Sequence, residues 1–315
     1  MSRQFTVAAA QMGPVARADT RSQVIDRLIA MLHTANQAGA TLVVFPELAL
    51  TTFFPRWVID DPEELDSYFE AEMPNNETQP LFAAAAELGI GFHLGYAEMV
   101  IEDDGSKRYF NTAIIVDRDG QIAGKYRKVH IPGHAEPQPG QTHQHLEKRY
   151  FEPGDLGFPV FRSMDGVMGM CICNDRRWPE TYRVMGLQGV ELVMLGYNTP
   201  STNPFAKGEE APHLGMFHNH LSMQAGAYQN GTWVVASAKA GMEEGIHHMG
   251  GSCIIAPTGE IAAQAQTEGD EVVTAPIDLG RGVYIRETIF NFAAHRRIEH
   301  YGLNTSRTGA EPPPA

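Results

Sequence analysis

Residues 171–180, CICNDRRWPE, set a thiol beside an amide, a carboxylate and two guanidiniums. Cys173 follows an apolar run and precedes a helical pattern opened by Pro179. A thiol there is expected to be exposed and near a helix N-terminus, where the dipole favours the thiolate. Cys171 and Cys253 read instead as small buried hydrophobes. Cys171 and Cys173 have no second pair with which to complete a metal site. Arg176 and Arg177 carry the fork that fits a carboxylate through two hydrogen bonds. Two of them within a turn of a nucleophile imply an anion held close to the reacting centre. The competing reading pairs one of them with Asp175, Glu180 or another acid, and is expected to hold for one of the two.

Two further charges stand where chemistry is plausible. Glu47 closes TLVVFPE (41–47), behind the apolar run LVVFP. A carboxylate so placed suits a buried general base; on the residue alone, a helix cap or a structural ion pair competes equally. Lys128 lies in GKYRKVHIPG (124–133). Alternation along an extended segment sends Arg127 and Lys128 to opposite faces, and leaves open which faces inward. His130 and His145 read as positioning groups near these residues. His218 and His220 sit two apart on a helical pattern, so they diverge and do not chelate together. FFPRW (53–57) reads as a pocket wall or as ordinary core.

These residues need a scaffold. The chain has 315 residues, 43% hydrophobic and 20% charged, the composition of a globular protein. It shows no internal linker, so residues 1–303 read as one domain and 304–315 as a flexible or strapping tail. The formal net charge of -14 repels phosphates and argues against nucleic acid. It also means that an anionic substrate needs a local positive site. The N-terminus lacks a signal-peptide pattern, and no apolar run nears the ~20 residues of a membrane span. Three cysteines fit a reducing cytoplasm without disulfides.

Short β-rich runs alternate with helical patterns: strand at 5–11, helix at 20–38, strand at 41–47, helix at 80–88, strand at 89–98. The alternation resumes with strands at 168–173 and 191–198 and helices at 178–189 and 214–230. This implies an α/β layered fold, with sites at strand C-termini. Two hairpins, turning at Asp119-Gly120 and Thr258-Gly259, align when their glycines are superposed. Ile115, Val116 and Ile122 then match Ile254, Ile255 and Ile261, as two similar halves would, or two unrelated hairpins.

The set FPE (45–47), YRKVH (126–130) and CND–R–WPE (173–180), in that order, resembles the nitrilase superfamily of carbon–nitrogen hydrolases. The resemblance implies Glu47 as general base, Lys128 as oxyanion stabiliser and Cys173 as nucleophile. It implies a four-layer α-β-β-α sandwich without metal or cofactor, assembled as a homodimer or homotetramer. ELALTTFFPRW (47–57), HLEKRYFEPGD (145–155), GYNTP (196–200) and SMQAGAYQNG (222–231) look like the N-carbamoyl-D-amino acid amidohydrolases of that superfamily. That likeness implies Glu147 as a further catalytic-site carboxylate with His145 beside the pocket. It implies Asn174, Arg176, Arg177, Asn198 and Thr199 as groups that bind the α-carboxylate and carbamoyl group of a small carbamoyl amino acid. The runs 136–143 and 201–212 match no signature and read as lining the entrance.

Overall fold

The computed structural model describes residues 3–202 and 211–313. The first half runs β1 (Gln4–Gln11), α1 (Arg21–Gln37), β2 (Ala40–Val44), α2 (Pro62–Asp66), α3 (Gln79–Leu88), β3 (Gly91–Ile101), β4 (Lys107–Val116) and β5 (Ile122–Arg127). A short α4 (Glu147–Tyr150) leads to β6 (Val160–Ser163), β7 (Gly166–Ile172), α5 (Pro179–Leu187), β8 (Leu192–Tyr197), α6 (Pro212–Asn230) and β9 (Trp233–Ala238). A hairpin of β10 (Ala240–Glu243) and β11 (Ile246–Met249) follows, then β12 (Cys253–Ile255), β13 (Ile261–Gln264), β14 (Glu271–Asp278), α7 (Phe292–His295) and α8 (Leu303–Ser306).

Two six-stranded sheets result, with orders β14-β1-β2-β3-β4-β5 and β13-β12-β9-β8-β7-β6. In each, three strands run parallel and the hairpin that follows is antiparallel. An antiparallel edge strand, β14 or β6, pairs with the first parallel strand. The two halves therefore share one topology. Val116 faces Ile122 after a register shift in the first hairpin, and Ile255 faces Ile261 after the same shift in the second. The sequence likeness of the hairpins is thus a structural equivalence.

The sheets pack face to face with helices outside, which is the four-layer sandwich. In β1, Val7 and Ala9 point between the sheets with Leu42 and Val44, while Ala8 and Ala10 join Val43 beneath α1. Both faces are covered, so the strands read as unbroken apolar runs. On α1, Val24, Leu28, Met31 and Leu32 are buried at helical spacing, each contributing about 1.5–3 kcal/mol. Thr20 caps this helix in a reciprocal capping box with Gln23. β2 ends at Val44, so Glu47 stands in a turn three residues past the strand rather than at its end.

Candidate active site

The Cys173 turn begins where β7 ends. Cys173 has a φ of 46°, left-handed backbone that costs a non-glycine residue on the order of 1–3 kcal/mol. The chain then makes one tight turn, Cys173–Arg177, before Pro179 starts α5. Asp175 is what holds this turn. It is fully buried and accepts from Ile172 N at 3.0 Å, Tyr126 Oη at 2.7 Å, and His130 N and Nδ1 at 2.9 and 2.8 Å. The Cys173 turn is thereby bonded to the segment 126–130 that carries Lys128. Among the described residues, Asp175 pairs with Tyr126, His130 and Ile172 rather than with an arginine. His130 positions groups rather than facing the cleft chemistry: it stacks on Trp178 with ring centres 5.0 Å apart.

Glu47, Lys128 and Glu147 meet although 100 residues separate the first from the last. Lys128 Nζ donates to Glu47 Oε1 at 2.7 Å and to Glu147 Oε2 at 2.5 Å, and all three side chains are buried. Arg127 points the other way, to Glu98 and Asp155, so the inward residue of that alternating pair is Lys128. Asn111 Nδ2 also donates to Glu47 Oε1 at 2.8 Å, and Asn198 N to Oε2 at 3.0 Å. Glu147 Oε1 faces His145 Nε2 at 3.0 Å. The Glu47 turn fits only because two neighbours lack side chains. A Cβ on Gly196 would lie 2.2 Å from Glu47 N, and one on Gly95 2.7 Å from Pro46 O.

Cys173 closes the group. Its Sγ lies 4.0 Å from Asn198 O, the residue whose N–H binds Glu47, and 3.8 Å from Arg176 Nη1. Burial pushes its thiol up to about 11; Glu47 adds to this, and the charges of Lys128 and Arg176 oppose it. The expectation of an exposed thiol lowered by a helix dipole is therefore corrected. The side chain is only 7% exposed, and desolvation of the thiolate outweighs the neighbouring cations. Lys128 is held above its ordinary range: burial works against its charge, but Glu147 and Glu47 win. Glu147 is lowered, since Lys128 and His145 outweigh burial.

Above the sulfur lies a cleft of ≈ 280 Å³ lined by Phe53, Arg56, His143, His145, Cys173, Asn174, Arg176, Arg177, Asn198, Thr199 and others. Every residue assigned to substrate by resemblance reaches it. Arg176 is buried, while Arg177 is exposed at its edge. Ser201 also lines the cleft; residues 203–210 of the unmatched run lie outside the described residues. Three contributors were missed in the sequence. Asn111 left only a faint signal, a polar residue at the head of NTAIIV. Asp175 was weighed only as an arginine partner. Arg56 was read with FFPRW as wall or core, yet its guanidinium is 4% exposed and faces the cleft. Gln144 N and Leu146 N donate to Arg56 O and Pro55 O, which joins that wall to α4 and Glu147.

A buried carboxylate–lysine–carboxylate group thus lies beside a strained cysteine on a doubled α/β sandwich of the nitrilase fold. The carbon-nitrogen hydrolase family model matches residues 6–287. The chain belongs to that family, within the nitrilase superfamily. It is 30% identical over 294 residues to an N-carbamoylputrescine amidase of Solanum lycopersicum, covering 89% of this chain and 88% of that one. It is 30% identical over 268 residues to a citrullinase of Francisella tularensis, covering 82% and 85%. A crystal structure of a carbon-nitrogen hydrolase from Helicobacter pylori superposes with a TM-score of 0.79 at 26% identity, covering 97% of this chain and 99% of that one. The protein is an enzyme acting on amide-type C–N bonds. No helix among the described residues is long and apolar enough to cross a membrane.

Proposed function

We propose that the enzyme hydrolyses the carbamoyl C–N bond of N-carbamoyl amino acids, of the D series, releasing the amino acid, ammonia and carbon dioxide. Glu47 takes the proton of Cys173, and the thiolate attacks the carbamoyl carbon. Lys128 and the backbone N–H after Cys173 stabilise the oxyanion, each by roughly 3 kcal/mol. The carbamoyl carbon is a poor electrophile because two nitrogens donate into its carbonyl, so it needs both devices together. Glu47 then protonates the leaving nitrogen and activates the water that hydrolyses the acyl-enzyme. Glu147 keeps Lys128 charged and oriented. Asn198 Oδ1 is buried without a hydrogen-bond partner among the described residues and serves as acceptor for the carbamoyl N–H.

The observation that carries the substrate class is the charge of the cleft. Arg56, Arg176 and Arg177 line it with His143 and His145, and no carboxylate is among its described lining residues. A substrate carboxylate is attracted there, and a cationic polyamine tail is repelled. This favours a carbamoyl amino acid over the amine-bearing substrate named for the plant relatives. The D configuration rests on the likeness of the motifs to the D-specific amidohydrolases. We also take the enzyme to work as a homodimer or homotetramer; exposed apolar side chains on α5 and α6, among them Leu187, Phe217 and Leu221, support assembly.

Ammonia release from paired D- and L-carbamoyl amino acids, with N-carbamoylputrescine alongside, tests the reading. Turnover of the D-carbamoyl amino acids at rates at least 100-fold above the other two is expected. Preference for N-carbamoylputrescine would overturn the substrate class, and preference for the L series the stereochemistry.

A further inference from the structure

Arg176 is tied to the protein on every nitrogen, and among the described residues to no acid. Nε donates to Asn219 Oδ1 at 2.8 Å, Nη1 to the Cys173 carbonyl at 2.6 Å, and Nη2 to Thr199 Oγ1 at 2.9 Å. Its face lies over the Tyr197 ring, 4.3 Å from the ring centre, and Asn219 Nδ2 donates to Tyr197 Oη at 3.2 Å. Among the described residues no carboxylate lies within ion-pair distance of it. A guanidinium only 1% exposed and unpaired is costly unless it serves an anion. The same Nη1 that holds the Cys173 carbonyl lies 3.8 Å from Sγ.

The local charge count explains why such a group is needed. With Glu47 and Glu147 ionised, two carboxylates face the single ammonium of Lys128, and a thiolate adds a further negative charge. Glu47, Glu147, Lys128 and Arg176 are the charges acting on the sulfur. Tyr197 and Cys171, packed nearby, are held protonated by burial. Among the described charges acting on the sulfur, Arg176 adds a second cation to that of Lys128.

We propose that Arg176 is a positioning residue for the nucleophile: it clamps the Cys173 carbonyl to keep the turn left-handed, and its charge serves the thiolate, leaving the substrate carboxylate to Arg177. The inference rests on the reading of Cys173 as nucleophile and refines the arginine pair implied by resemblance.

The test is alkylation of Cys173 by iodoacetamide, a neutral reagent without a carboxylate, followed against pH. Cys173→Ala supplies the background from Cys171 and Cys253. In Arg176→Gln, alkylation at pH 8 is expected to slow at least tenfold and the midpoint of its pH profile to rise by about one unit. kcat for a carbamoyl amino acid should fall at least tenfold while KM changes less than about threefold. Asn219→Ala, which removes the Nε acceptor together with the bond to Tyr197 Oη, should slow alkylation about threefold with KM unchanged, and it decides the matter if Arg176→Gln does not fold. An unchanged alkylation profile in the folded variant, with KM raised 100-fold, would make Arg176 a carboxylate grip and overturn the proposal. Wild-type alkylation without turnover of carbamoyl amino acids would sink the substrate reading and leave this inference standing.

Discussion

Lys128 and Lys239 are both fully buried against a glutamate, one beside the sulfur and the other behind the cleft wall. Lys239 Nζ bonds Glu243 Oε2 at 3.0 Å and Thr51 O at 2.5 Å. Glu243 also accepts from Phe53 N at 2.8 Å and Val15 N at 3.0 Å, with His248 Nε2 3.4 Å away. His248 Nε2 in turn accepts from Arg56 Nη2 at 2.7 Å. Here cations outnumber anions. Burial lowers Lys239, Glu243 opposes this, and Arg56 adds to it. Around Lys128 the anions outnumber the cation, and its charge is reinforced. A buried Lys–Glu pair is therefore no mark of catalysis by itself. What separates the two is the excess charge and what it faces: one cluster meets a thiol, the other ties loops 51–53 and 13–15 to the β10–β11 hairpin and presents Arg56 to the cleft.

The contrast can be broken most directly at the sulfur. Cys173→Ala should lower turnover by about 10⁴-fold or more while the melting temperature moves by no more than a few degrees; retained turnover would remove the nucleophile. Next come the lysines themselves. Lys128→Met should cut kcat by about 10²–10³-fold. Lys239→Met should instead lower the unfolding free energy by about 3–5 kcal/mol, since it leaves Glu243 buried without its ammonium, with kcat per folded molecule within about threefold of wild type. Urea unfolding and active-site titration measure both, and equal kcat losses would abolish the distinction. Gly196→Ala forces Glu47 to move and should cost on the order of 10²-fold in kcat with little change in KM; unaltered kinetics would show that the turn tolerates displacement.

The smallest effect concerns pH. Burial lowers both His93 and His248 to about 4, against an unfolded value of about 6.5. As pH falls from 7 to 5 the unfolded chain takes up protons that the folded protein refuses, so stability is lost on acidification. Each residue should contribute on the order of 2 kcal/mol to that loss. His248→Gln should remove about half of the pH dependence seen by urea unfolding. A stability curve flat between pH 7 and 5 would mean that these imidazoles are not held neutral.

Much of the fold was legible because two periodicities dominate it. The run FTVAAAQ is apolar on both faces since helices and the second sheet cover both, and the spacing of Val24, Leu28 and Met31 allows only a helix. The turn glycines, Gly120 at a φ of 74° and Gly259 at 86°, marked the hairpins by the conformation they must adopt. The site was legible in part for a different reason. Glu47, Lys128 and Cys173 are charged or nucleophilic residues interrupting apolar surroundings, which a core does not accept without a use. Asn111 escaped notice because a neutral amide in a strand is unremarkable until its partner is known. Asp175 was misjudged because neighbours in sequence suggested an arginine partner, whereas its actual partners, Tyr126 and His130, arrive from another segment.

The sequence by itself determined the elements, their alternation and the identities of the groups able to react, because periodicity and side-chain chemistry are local. Only the tertiary structure decided which of Arg127 and Lys128 turns inward, that Cys173 is buried and raised rather than exposed and lowered, and that Arg176 bonds the Cys173 carbonyl. Those outcomes depend on desolvation and on charges brought together from distant parts of the chain, and neither can be read from residues that are neighbours only in order.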